Sequence, residues 1–162
     1  PPTWDYCNKL EREVRLLTMS FPRQIPYLRL LVLLWGAYAA VWLALEGAPG
    51  RDLLLAAWGL ALLALAGMAR VAGGQRLSAG SVLALSAGVG LATGVAVAPA
   101  ALAVMAFKAG LHAHGPEYTT AQIAAVWAQW PLWLVAGGAA GAGLGLIALG
   151  WAARRQEDRS EV

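Results

Sequence analysis

Four apolar stretches joined by short connections, with nearly all the positive charge on alternate connections, leave this chain little choice of fold. The stretches run over Ile25–Leu45, Leu53–Ala69, Leu77–Phe107 and Ile123–Ala153. A helix needs about 20 mostly apolar residues to cross the hydrocarbon core of a bilayer. The expected fold is therefore an all-α membrane protein, with four transmembrane helices and an N-terminal amphipathic surface helix. Residues 1–24 form the juxtamembrane segment, 25–153 the four-helix domain and 154–162 a charged C-terminal tail.

The charges give this arrangement a direction. Lys9, Arg12, Arg15, Arg23 and Arg29 precede or open the first stretch. Arg70 and Arg76 lie in the second connection, and Arg154, Arg155 and Arg159 lie in the tail. Only Arg51 and Lys108 lie in the first and third connections. Basic residues in short loops collect on the cytoplasmic side. Both termini and the Arg70–Arg76 connection are thus expected on the cytoplasmic face, or on its stromal or matrix equivalent. The membrane would be a bacterial inner membrane or an organellar one.

Composition narrows the function. The chain is 59% hydrophobic and 13% charged, far from a soluble mixture. The membrane domain consumes nearly all 162 residues and leaves no room for a separate catalytic domain. The net charge of +3 comes mostly from the terminal segments, which fits an anionic lipid surface and not nucleic acid. The single cysteine, Cys7, excludes an internal disulfide. The chain opens Pro1-Pro2-Thr3, which reads as a processed or truncated N-terminus.

Residues 4–19 have helical periodicity. Trp4, Cys7, Leu10, Val14 and Leu17 share one face, and Arg12 and Arg15 lie among the charged residues elsewhere. Trp4, Leu10, Arg12, Val14, Arg15 and Leu17 are the candidate membrane-surface residues. Pro22 and Pro26 should break this helix before the first span. Tyr27 and Arg29 suit the headgroup layer at its start. Glu46, Gly47, Pro49 and Gly50 read as a tight turn, and Gly73-Gly74 as the next. Pro99 predicts a kink or an early end in the third helix. Thr119 or Thr120 reads as the N-cap of the last helix. Tyr118, Trp127, Trp130 and Trp133 read as an aromatic belt at one interface, with Trp151 at the other.

Glycine spacing is the strongest signal for contact. Gly137, Gly141 and Gly145 recur every fourth residue in the last stretch, and Gly90 and Gly94 do so in the third. Small residues at this spacing line one helix face and let backbones approach. The contact is either internal to the bundle or a docking face for another subunit. No Asp or Glu falls inside the four stretches, which leaves Ser86 and Thr93 as the interior polar residues. Ion-coupled transport normally needs ionisable groups there, so a carrier is disfavoured.

One loop carries suggestive chemistry. His112, His114 and Glu117 lie close together between Lys108 and Thr120. They are candidate ligands for a metal, a haem or a chlorophyll-type pigment, although the spacing matches no standard metal set. The plain alternative is an interfacial loop whose histidines and glutamate bond to their neighbours. No nucleophile–base pair, phosphate loop or dinucleotide fingerprint is found.

The sequence thus points to a small non-catalytic integral-membrane subunit or assembly factor. It would act by glycine-mediated helix docking in a larger complex, photosynthetic or respiratory. Its partners would be other integral membrane subunits and anionic lipids, with a homo-oligomer left open and no nucleic acid. No cofactor is required by this reading. A pigment- or haem-binding subunit using His112 or His114, and a small transporter or pore, stand as alternatives.

Overall fold

The computed structural model describes residues 18–20, 24–45, 48–112 and 118–160. Two short strands and five helices follow in the order β1 (Thr18–Ser20), α1 (Leu28–Leu43), α2 (Pro49–Val71), β2 (Arg76–Ser78), α3 (Ala79–His112), α4 (Thr120–Ala128) and α5 (Trp130–Ser160). The membrane-surface candidates Trp4 to Leu17 lie outside the described residues. So do His114 and Glu117, and for His112 only the backbone is described.

The strands depart from the expected pattern. The helical periodicity of residues 4–19 does not extend over its last two positions. Thr18 and Met19 instead pair antiparallel with Ser78 and Leu77, and Ser20 pairs with Arg76. Backbone donors and acceptors at this level need partners, and the α2–α3 connection supplies them. The turn into β2 depends on Gly74, whose φ of 81° a side-chain-bearing residue seldom adopts. Tyr27, at φ 63°, takes the same left-handed conformation and turns the chain into α1.

Each later helix starts where its local chemistry allows. Pro49 and Gly50, expected in a turn, instead form the first turn of α2, with Pro49 at its start. Proline suits that place because its missing N–H has no intrahelical partner there anyway. Ser78 caps α3: its hydroxyl accepts from the Ser81 amide at 3.2 Å. Thr119 caps α4 in a reciprocal box with Gln122. The Gln122 amide donates to Thr119 Oγ1 at 3.2 Å, and the Thr119 amide donates to Gln122 Oε1 at 2.8 Å.

Pro99 and Pro131, deep in the third and near the start of the last apolar run, behave differently. α3 does not end at Pro99 but continues to His112. The last apolar run, in contrast, divides at Gln129 into α4 and α5. Pro131 has no N–H for the Trp127 carbonyl, and the helix is interrupted beside that missing bond. α5 then runs past Ala153 and takes most of the charged tail into the helix.

The helices pack in a row, α1 on α2, α2 on α3 and α3 on α5. α1 is antiparallel to α2. Trp42 near its end meets Asp52, and Trp35, two turns earlier on the same face, donates its indole N–H to the Leu55 carbonyl at 3.0 Å. The ring of Trp35 lies over Gly59, where a Cβ would come within 2.7 Å of it. A buried cluster of Leu53, Ala56, Val97, Ala101, Met105, Tyr118 and Val126 joins α2, α3 and α4. Three helical segments, Pro49–Val71, Ala79–Leu111 and Thr120–Arg155, are long and apolar enough to cross a membrane. α1 is apolar but has only 16 residues. It rises about 24 Å, against about 30 Å of hydrocarbon.

Candidate functional site: a buried polar cluster and a glycine seam

Trp42 organises the end of the molecule where α1 stops and α2 begins. Its indole N–H donates to Asp52 Oδ1 at 2.8 Å. Its carbonyl accepts from Lys108 Nζ at 3.1 Å. The Lys108 ammonium also lies 4.3 Å from the centre of the Trp42 ring, and the Arg51 guanidinium lies 4.8 Å from it. Both cations are within range of the negative face of an indole. The second carboxylate oxygen of Asp52 accepts from the Tyr118 hydroxyl at 2.7 Å.

Asp52 and Lys108 have no exposed surface. Burying two opposite charges costs several kcal/mol per ion, on the order of what good hydrogen bonds must offset. Here the offset runs through Trp42, which binds the carboxylate by its side chain and the ammonium by its main chain. The start of α2 adds a further contribution, because a carboxylate in a first turn is favoured by the helix dipole. The four residues belong to α1, α2, α3 and the entry to α4. Both Asp52 oxygens are hydrogen-bonded and neither charge meets solvent, so the geometry is that of a fastener between helix ends.

This cluster overturns two sequence expectations. Starting the second apolar run at Leu53 left Asp52 outside it, yet Asp52 is inside α2 and fully buried. Tyr118 was expected in an aromatic belt, but it is buried and bonds to Asp52. Trp133 also turns inward and packs against the core cluster, and its buried Nε1 has no acceptor among the described residues. Trp127, Trp130 and Trp151 are exposed. A usable signal did exist in the sequence. Lys108 and Tyr118 bracket one connection while Asp52 closes the other on the same side, so unlike charges and a hydroxyl meet at one end.

The glycines define a second feature. A Cβ on Gly90 would strike the Gly137 carbonyl oxygen and lie 2.9 Å from Gly141 Cα. On Gly94 it would strike the Trp133 oxygen, on Gly137 the Gly90 oxygen, and on Gly141 the Ser86 oxygen. A Cβ on Gly145 would lie 3.2 Å from Ser86 Cβ. These five residues therefore lie in the seam between antiparallel α3 and α5, where backbone meets backbone.

Beside the seam lies a groove of about 390 Å³, floored by α3 and walled by α2 and α5. Among the described residues, no group of three or more His, Cys, Asp or Glu side chains is placed to hold a metal ion. No protein-family model matches the chain, and neither a curated protein nor a solved structure matches it. The apolar helices themselves assign it to the integral membrane proteins of all-α class.

Proposed function

We propose that this chain is a small non-catalytic subunit or accessory factor of a larger integral-membrane complex, photosynthetic or respiratory. The observation that carries this reading is the open row of helices. In a closed four-helix bundle the first and last helices would pack together, but here α1 rests on α2 and α5 on α3. Leu30, Leu33 and Val41 of α1 and Leu132, Val135 and Ile147 of α5 remain exposed apolar residues. Because the glycine row is filled within the chain, these outer faces are the surfaces offered to helices of another subunit. The test is native mass measurement of protein extracted with its lipids and partners retained, with a visible spectrum taken on the same sample. A stoichiometric integral-membrane partner is expected. A lone chain carrying an absorption band would instead favour the pigment- or haem-binding alternative.

The same proposal includes four spans, with both termini on the cytoplasmic side. Support comes from α1, which follows α2 in antiparallel fashion from the strand end to the Trp42–Asp52 contact. Ile25, just ahead of α1, lines the groove together with Met68 near the end of α2. The chain around α1 thus covers about the depth that α2 covers. Single cysteines at positions 48, 74, 115 and 158, in a chain with Cys7 replaced, test this by impermeant labelling. Positions 74 and 158 should label from one side, and 48 and 115 from the other. Labelling of 74 and 115 from the same side would end the four-span reading.

A further inference from the structure

Two aromatic side chains on the face shared by α1 and α2 differ from their neighbours. Trp35 and Trp42 each give their indole N–H to an acceptor within the chain. Tyr38 and Trp58 do not: among the described residues no hydrogen bond uses the Tyr38 hydroxyl or the Trp58 N–H. Their rings lie side by side, 6.3 Å between centres, and the two residues are 38% and 39% exposed. Each sits in the middle of an exposed stripe, Leu34, Tyr38 and Val41 on α1 and Leu54, Trp58 and Ala61 on α2.

Depth makes these two groups unusual. Arg51 and Arg70 are exposed and stand 19 residues apart on α2, about 28 Å of helix and close to the thickness of the hydrocarbon core. Their guanidinium groups are drawn to the two headgroup layers. Trp58, seven residues from Arg51, then lies about 10 Å inside, and Tyr38 is level with it. A helical side chain leans toward its own N-terminus, which for Tyr38 is away from the headgroups beside Arg51. Tyrosine and tryptophan that face lipid collect at the interfaces, where their polar ends stay wet. Hydrocarbon offers no acceptor, so an exposed N–H and O–H at this depth call for one from another helix.

Chemistry and symmetry select the partner. An indole N–H can only donate, whereas a phenol oxygen can accept. A two-fold axis along the bilayer normal keeps every residue at its own depth, and Tyr38 and Trp58 share one depth. Two copies placed about such an axis bring each indole N–H to the other copy's phenol oxygen, so the bond is made twice. We propose that the α1–α2 face is the interface of a two-fold homodimer, with Trp58 Nε1–H donating to the hydroxyl oxygen of the partner's Tyr38. This contact does not depend on the accessory-subunit reading, because it is tested on the purified chain alone.

Sedimentation of the full chain in detergent should show a dimer. Trp58→Phe and Tyr38→Phe keep a ring in place and remove one polar group each. Either should raise the dimer dissociation constant about tenfold, since an interhelical hydrogen bond in a membrane is worth about threefold and the symmetry removes two. The double variant should be no weaker than either single one, because both changes delete the same bonds. In membranes, with Cys7 replaced, a chain carrying Val41→Cys should form a disulfide with a second chain carrying Leu54→Cys. Ile147→Cys, on the exposed face of α5, should not cross-link. A monomeric parent would overturn the proposal. So would single variants that dimerise as the parent does, losses that add in the double variant, a cross-link at position 147 in place of the one between 41 and 54, or capture of a different polypeptide on the α1–α2 face.

Discussion

Asp52→Leu should destabilise the protein by about 3–5 kcal/mol, the range for leaving a buried charge without compensation. The arithmetic is local. The substitution strands the Trp42 indole N–H and removes the carboxylate oxygen that accepts from the Tyr118 hydroxyl. It also leaves Lys108 as a fully buried charge without the opposing carboxylate. The cluster ties α1, α2, α3 and α4 at one end, so the loss should first appear as fraying there. Thermal melting in detergent, with labelling of a cysteine at position 48, reads both effects. The double variant Asp52→Leu with Lys108→Met removes both charges and should recover the part of the loss due to the uncompensated Lys108 charge, while the Trp42 indole N–H stays without its acceptor. A single variant that melts with the parent would show that the cluster fastens nothing.

What could be read from the sequence, and what could not, divides along physical lines. Hydropathy registers long apolar segments, so α2, α3 and the α4–α5 segment were visible. Glycine sets backbone conformation locally, so the Gly74 turn was visible, and a threonine hydroxyl ahead of a helical run marks its start, so the Thr119 cap was visible too. Pro99 shows the limit of such local rules. Its missing N–H costs one hydrogen bond, and the flanking apolar residues keep α3 helical through it. Asp52 was missed because hydropathy counts a carboxylate as a boundary, whereas its burial depends on Trp42 and Tyr118, which are remote in sequence. The β1–β2 pairing was missed for a related reason. A three-residue strand has no periodicity to detect, and its partner lies beyond two helices. The glycine row could be seen in the sequence, but its occupant could not. Spacing shows that a helix comes close and does not show which helix.

That occupant can be tested, and here the effect should be largest. Gly141→Leu places a branched side chain where even a Cβ would strike the Ser86 carbonyl and lie 3.0 Å from Gly90 Cα. The obstacle is backbone on a facing helix, so no rotamer change relieves it. Overpacking by a methylene or so costs about 1–3 kcal/mol, and leucine adds far more bulk than that. α3 and α5 should therefore separate, and α5 has no other extensive packing partner among the described helices. Gly143→Ala is the internal contrast. Nothing lies within 4 Å of its Cβ position, so alanine should be neutral or stabilise the helix by about 0.5–1 kcal/mol. The readout is a disulfide between Ser86→Cys and Gly145→Cys, in a chain with Cys7 replaced. Their Cβ positions lie 3.2 Å apart, close to disulfide spacing. The cross-link should form in the parent and in Gly143→Ala and should fail in Gly141→Leu, with the isolated chain losing its melting transition. If instead the cross-link persists in Gly141→Leu and only a larger complex is lost, the row faces another subunit and the seam between α3 and α5 is wrongly assigned.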